Sequence, residues 1–437
     1  MMRSVRWAVA ITLAPLVGAT AGAQLPLGPE QQANGSTAGS QYIPRVSADS
    51  TGAFLVAWSD ATDESIRVRR FGAEGTPQGL ERRVNAGGGG STWRWPTAVL
   101  VDADAEFTVV WGGYQGGPGC FCAGGRARRF EAAGEPLDDG FVVARMERYG
   151  IAPVAAGRPN GDFVVATKES TPIDITRYSS AGVVQGESAI VAEPNHGHSS
   201  PSLAIAPDGE FVVVWNDWER TAQYPSELLW DRIVLQRFGA TGVPIGSRIE
   251  VTAPESEGYR RGPEVARGDA GSFLVVWEED PTESGDPDAT LLIARGYDAQ
   301  GAPVEGQFQV NERTAGVQLG PTVAAAPDGS FLVAWTDLQG DDGGGDGSGS
   351  AVLARRLEAD GRPTGGSFRV NSYTTGDQST PSLAFLPDGD FLVAWTSDGS
   401  VGGDDSGESI QIRRFRLAFF ADGFESGDAS RWSTVGG

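Results

Sequence analysis

Pro321-Thr-Val-Ala-Ala-Ala-Pro-Asp-Gly-Ser-Phe-Leu-Val-Ala-Trp335 is the stretch that decides the fold. Pro321 to Ala326 reads as a short strand and Phe331 to Trp335 as a second. Pro327-Asp328-Gly329 turns the chain between them, because Pro fixes φ and Gly accepts positive φ. A strand with one solvated face alternates apolar and polar residues, whereas Phe-Leu-Val-Ala-Trp is apolar throughout, so both of its faces must be covered. Downstream, Ala351 to Leu357 reads as a third strand, Gly361-x-Pro363-x-Gly365 as a turn, and Phe368-Arg-Val-Asn371 as a fourth. The unit is an antiparallel four-stranded meander with no helical period.

The phrase recurs along the chain. Phe54 to Trp58, Phe107 to Trp111, Phe211 to Trp215, Phe273 to Trp277 and Phe391 to Trp395 repeat it, and Phe163 to Thr167 is a copy without the Trp. A proline opens the preceding strand in all seven copies: Pro44, Pro96, Pro153, Pro201, Pro263, Pro321 and Pro381. The period is about 59 residues. Seven small sheets, each covered on both faces by its neighbours, predict an all-β fold, a seven-bladed β-propeller of four-stranded antiparallel blades. The seventh copy has no fourth strand after Ser409 to Phe415, but Pro26 to Asn34 matches the spacing of Pro363 to Asn371. The N-terminal strand 26–34 is therefore expected to complete the last blade and close the ring.

Composition agrees with this reading and narrows the function. The chain has 437 residues, with 62 Gly, 26 Pro and 12 Trp, and 34 basic against 57 acidic side chains give a net charge of -23. Such an acidic chain lacks the basic footprint that nucleic acid requires. Residues 1–23 read as a signal peptide: Arg3 and Arg6 precede an apolar run from Trp7 to Val17, and Ala21-Gly-Ala23 is a cleavage signature. No later segment reaches transmembrane length. The propeller is expected over 24–417, followed by a tail at 418–437, and the chain is expected to be secreted and monomeric. The two cysteines, Cys120 and Cys122, fall in a Gly-rich segment read as a loop and are too few for a disulfide scaffold.

In a meander of this kind the loops between strands two and three open on the same face as the connections to the next blade. The Pro-Asp-Gly and Gly-x-Pro-x-Gly turns lie on the other. Length variation falls in the first group, which is where binding groups on a rigid scaffold are expected. Those seven loops hold 22 of the 57 acids against only Lys168 and Arg220. Carboxylates among glycines suit Ca²⁺, which takes six to eight oxygen ligands. The candidate ligands are Asp337, Asp341, Asp342 and Asp346, with Asp398, Asp404 and Asp405 on the next blade. Aromatic side chains near the same face, Trp93, Trp95, Trp218, Trp230 and Tyr259, are candidates for ligand contact, since flat rings suit sugars and protein partners.

The catalytic signatures are poor. Loop histidines His196 and His198 lack a third metal ligand, and the chain has no nucleophile elbow and no phosphate loop. Ser47-Ala-Asp49-Ser-Thr-Gly52 is similar to the Asp-box of sialidase propellers but does not recur in the other blades. Arg70, Arg129, Arg177, Arg237, Arg295, Arg356 and Arg414 recur on the third strands. The acids that follow the Trp, such as Asp60 and Asp337, are expected to pair with them.

The phrases PDGxFLVAW, RRF, GxPxG and FxVN resemble a repeat of secreted bacterial proteins, among them calcium-binding and adhesin-like exported chains. The resemblance spans Pro26 to Phe415 and implies export but no reaction. Phe420-Ala-Asp-Gly-Phe-Glu-Ser-Gly-Asp-Ala-Ser-Arg-Trp432 resembles a C-terminal segment of exported Gram-negative proteins. The expected function is a secreted, non-catalytic propeller that binds an extracellular protein or glycan on its acidic loop face. The alternative is an extracellular glycoside hydrolase or polysaccharide lyase that uses paired carboxylates there.

Overall fold

A computed structural model describes residues 24–417 except 86–91, 118–119, 149–150, 169–171, 193–195, 221–227, 253–257, 282–288, 314–315, 339–348, 401–402 and 405–406. Residues 1–23, read above as a signal peptide, and the expected tail at 418–437 lie outside the described residues. The rest forms seven antiparallel sheets, each in meander order. Blade 1, for example, runs Gln41–Ala48, Phe54–Asp60, Ser65–Phe71 and Pro77–Arg83. The first strands of blades 2 to 7 are Thr92–Val101, Ile151–Gly157, His196–Ile205, Gly258–Arg267, Gln318–Ala325 and Gln378–Phe385. The protein is a seven-bladed β-propeller. No helix among the described residues is long and apolar enough to cross a membrane.

The apolar second strands do what their pattern requires. Phe331, Val333 and Trp335 of blade 6 pack on Leu274, Val276, Leu292 and Ala294 of blade 5. On the opposite face of the same strand, Leu332 and Ala334 meet Phe391, Val393 and Trp395 of blade 7. Seven such clusters, one between each pair of neighbouring blades, form the core, and that between blades 7 and 1 joins Ala33, Ile410 and Ile412 to Phe54 and Trp58. In six blades the Phe of the second strand stacks on an aromatic of the third at 4.9–5.1 Å between centroids, as in Phe54–Phe71 and Phe273–Tyr297.

The ring closes through its N-terminal residues, as the spacing predicts. Gln24 to Pro26 pairs with Leu417 to Phe415, and Gln31–Gln32 pairs with Ile412–Gln411. Between these pairs the buried Glu30 accepts hydrogen bonds from Ser372 N, Ser372 Oγ and Tyr373 N at 2.7, 2.9 and 3.0 Å, which ties the closing strand to the connection that enters blade 7. Asn34 Oδ1 accepts from Ile410 N at 2.9 Å. This last bond explains the Asn of the FxVN phrase. Asn85, Asn311 and Asn371 accept from Ile66 N, Leu292 N and Val352 N in the same way, capping the third strand where its ladder ends.

The doubled arginine of the RRF phrase has two separate tasks. Arg69, Arg128, Arg295, Arg355 and Arg413 each donate to a backbone carbonyl at the end of the preceding blade (Ala33, Val84, Val251, Val310 and Val370) at 2.7–2.9 Å. Four of these guanidiniums also sit over the neighbouring aromatic ring, as Arg413 over Phe415 at 5.4 Å. The next arginine does not pair with the acid after the Trp, contrary to expectation. Register sets Arg70 opposite Leu55 and Asp60 opposite Ser65, at opposite ends of the strand pair. Arg70 instead meets the turn carboxylate Asp49, Arg129 meets Asp138, and Arg356 meets Asp328. Arg295 belongs to the first set, since Gly296 occupies the second position in blade 5.

Candidate functional site

The loops between strands two and three and the connections to the next blade share one face, where they hydrogen-bond to each other: Leu338 N donates to Val317 O and Asp398 N to Asp377 O at 3.0 and 2.7 Å. The turns share the opposite face. There Gly329 has a φ of 86°, a conformation that favours glycine, and Ser330 N donates to the Asp328 carboxylate at 2.9 Å. Arginines link turns of neighbouring blades, as Arg129 to Ser180 O at 2.9 Å and Arg177 to Ala240 O at 3.1 Å.

A cavity opens on the loop face. It measures about 510 Å³ and is lined by blades 7, 1 and 2 through Tyr42, Asp60, Glu64, Arg94, Thr380 and Glu408, among others. Turn-face clefts are smaller, about 210 Å³ beside Leu80 and Arg82. Each wall of the cavity has a structural cause. A bulge before the first-strand proline gives Ile43 and Thr380 positive φ and frees their amides, which donate to Thr396 and Thr336 of the preceding blades at 3.0 and 3.1 Å. Asp60, at the end of its second strand, is buried and lies 3.5 Å from Arg67. Arg94 Nη1 donates to the Glu64 carbonyl at 3.0 Å rather than to a carboxylate.

The cavity carries excess negative charge. Burial, then the neighbouring carboxylates Asp398 and Asp377, raises the pKa of Glu408. Burial, with Glu408, Glu64 and Asp60, raises that of Tyr42, whose phenol stays protonated and is available as a hydrogen-bond donor. Burial lowers the pKa of Arg94. The arrangement offers a donor, a guanidinium and several carboxylates in one opening at the ring mouth, which suits recognition of a polar ligand.

The other candidate residues are distributed differently from expectation. Asp60, Asp217, Glu278, Glu279 and Asp337, read as loop acids, lie on their second strands and are buried. They meet arginines on elements outside the loop segments: Arg67, Arg232, Arg261, Arg260 and Arg313 respectively. The loop face is therefore less acidic than loop composition alone implies. Among the calcium candidates, Asp337 is fully buried 3.9 Å from Arg313, and Asp404 is buried and accepts from Gln32 Nε2 at 3.2 Å. Asp398 is exposed, and Asp341, Asp342, Asp346 and Asp405 lie outside the described residues. Among the described residues no three His, Cys, Asp or Glu side chains converge on a metal position.

Of the aromatic candidates, Trp93 and Trp95 lie near the start of the first strand of blade 2, opposite Tyr114 and Gly112. Trp218 and Trp230 lie on adjacent strands of blade 4, and Tyr259, exposed, begins blade 5. They form two groups with blade 3 between them rather than one platform. The side chains of Trp93 and Trp230 are outside the described residues. Cys120 and Cys122 stand on a strand, Cys120–Phe130, and not in a loop, because the hairpin of blade 2 extends beyond its core.

His196 and His198 also belong to a strand, His196–Ile205. His196 Nδ1 lies 3.3 Å and His198 Nε2 3.9 Å from Asp217 Oδ1. His198 occupies the position of Gln318 and Gln378, whose side chains accept from Trp335 and Trp395 Nε1 at 2.9 and 3.1 Å. In blade 4, among the described residues, neither ring nitrogen of His198 nor Trp215 Nε1 has a hydrogen-bond partner. Burial first, then Arg248, His196 and Lys168, lowers the His198 pKa to about 4, against the opposing pull of Asp217.

No protein-family model and no curated protein matches the chain. Solved structures match it in fold. A protein of unknown function from Dyadobacter fermentans is 12% identical with a TM-score of 0.52, covering 90% of this chain and 99% of that one. An ulvan lyase, described as a new family of polysaccharide lyase, is 10% identical with a TM-score of 0.55, covering 86% of this chain and 94% of its own. The likeness is one of architecture, that of the β-propeller.

Proposed function

We propose that this propeller is a secreted, non-catalytic binding module that takes an extracellular glycan or protein ligand at the mouth of its loop face. The cavity lined by Tyr42, Arg94, Asp60, Glu64 and Glu408 carries this reading. It offers hydrogen-bond donors and acceptors over an apolar floor, the usual composition of a recognition site. The signal-like N-terminus and the repeat resemblance support export. Ca²⁺ bound by the Asp/Gly loops after Asp337 and Asp398 would stiffen the rim, and the exposed Asp398 is the described group available for it. Affinity retention on a panel of polysaccharides, with product release measured in parallel, tests the reading. Retention without product, weakened at least tenfold by Tyr42→Ala, is expected. Product release abolished by Glu408→Gln would overturn it in favour of the hydrolase or lyase alternative, which the raised pKa of Glu408, in a cavity also lined by Asp60 and Glu64, favours. A melting temperature unchanged by millimolar Ca²⁺ would remove the metal from the proposal.

A further inference from the structure

The tunnel along the ring axis is walled by the first strands. In six blades the residue after the first-strand proline pairs with the fourth residue of the Phe-to-Trp phrase: Arg45, Val154, Ser202, Glu264, Thr322 and Ser382 stand opposite Ala57, Ala166, Val214, Val276, Ala334 and Ala394. Shared register sets these six at one level of the wall. Four are uncharged. The two charged residues, Arg45 and Glu264, come from blades 1 and 5, as far apart as two blades of a seven-membered ring can be. The electrostatic interaction between them therefore runs across the lumen and not along the wall.

Both groups are held in place but neither meets the other. Arg45 donates through Nε to Thr97 O at 3.3 Å and through Nη1 to Pro44 O at 2.9 Å. Glu264 Oε2 accepts from Ser202 Oγ at 2.8 Å. No hydrogen bond or ion pair among the described residues uses Arg45 Nη2 or Glu264 Oε1. Lumen solvent reaches both side chains, Glu264 being exposed and Arg45 half-buried, yet protein surrounds the tunnel on every side. The surrounding wall raises the pKa of Glu264 and lowers that of Arg45, although solvent in the lumen still reaches both. Of the nearby hydroxyls, Ser202 Oγ donates to Glu264 Oε2 while accepting from Val265 N, and Ser382 Oγ accepts from Val46 N.

We propose that this level of the tunnel binds a small zwitterion, with its carboxylate toward Arg45 and its ammonium toward Glu264. A lone anion would meet Arg45 but be repelled by Glu264, and a lone cation the reverse. A molecule that carries both charges satisfies both walls and brings each into a charge-assisted hydrogen bond. The site is independent of the mouth cavity, and its test does not depend on the ligand there.

Thermal melting of the full chain with glycine, β-alanine, 4-aminobutyrate and 6-aminohexanoate tests the proposal, with butyrate and butylamine as single-charge controls. At least one amino acid is expected to raise the melting temperature by about 2 °C at tenfold its Kd. The chain length with the largest shift reports the gap, the controls give no shift, and Arg45→Gln and Glu264→Gln each abolish the response. Should Arg45→Gln fail to fold, Glu264→Gln decides, because its amide oxygen keeps the Ser202 hydrogen bond. No shift with any amino acid, an equal shift with butyrate or butylamine, or a shift that survives Glu264→Gln would overturn the proposal.

Discussion

The two faces of the ring are built on different rules. On the turn face most blades repeat one solution: a tight turn whose Asp or backbone accepts from its own amides, and in several an arginine that reaches the turn of the next blade. On the loop face the same structural position is filled differently from blade to blade. Behind the Trp, Gln318 and Gln378 accept the indole N–H, Gln41 accepts from Asn34 Nδ2 at 2.7 Å, His198 leaves Trp215 Nε1 without an acceptor among the described residues, and Arg260 lies 3.4 Å from Glu279. Uniform positions are those that hold a blade to its neighbour. Variable positions border the openings, and there the structure tolerates unpaired and like-charged groups that cost stability.

This contrast predicts opposite signs for substitutions. Deleting residues 24–34 removes the closing strand, the Glu30 anchors and the Asn34 cap, and leaves Phe415 and Ile412 uncovered. A loss on the order of 5 kcal/mol is expected, read as a fall in melting temperature of roughly 5 °C or more. A truncated chain that melts with the intact one would break the closure argument.

Changes on the loop face should stabilise. The folded His198 titrates near pH 4 and an unfolded histidine near 6.5, so as pH falls the unfolded chain takes up the proton first and stability drains away over that interval. His198→Gln removes this loss, worth about 3 kcal/mol at pH 4, and restores an acceptor for Trp215, worth about 1 kcal/mol at pH 7. Denaturant melts at pH 7 and pH 4 measure both parts, and a variant less stable than the parent at pH 4 would contradict the account.

The smallest effect is expected at Glu408. Its raised pKa means that the folded state favours the protonated carboxyl, so ionisation costs stability above the ordinary value of 4.5. Glu408→Gln should raise the melting temperature at pH 7 by about 1 °C, with the difference fading as pH falls toward 4.5. A gain of the same size at pH 4 would place the cause elsewhere.

Much of this was legible beforehand, and the reason lies in repetition. Phe-Leu-Val-Ala-Trp needs cover on both faces, and the spacing from Pro26 to Asn34 matched the one piece missing from blade 7. The site was less legible. Loop composition marked an acidic face but counted Asp60, Asp217 and Asp337 as loop residues, whereas the strands extend through them and arginines from other elements meet them. Tyr42, Asp60, Glu64 and Glu408 sat among the residues read along the chain without any signal that they share a cavity with Arg94, because blades 7, 1 and 2 meet only when the ring closes.

The sequence by itself determined what is local and periodic: strand, turn, strand count and the displaced closing strand, all consequences of residue-scale preferences repeated seven times. Only the tertiary structure decided which side chains face one another across the axis or the ring mouth. Arg45 and Glu264 are 219 positions apart in the chain. Nothing in the spacing of two residues so distant specifies that both project into one lumen, since that juxtaposition follows from the curvature accumulated over four intervening blade interfaces.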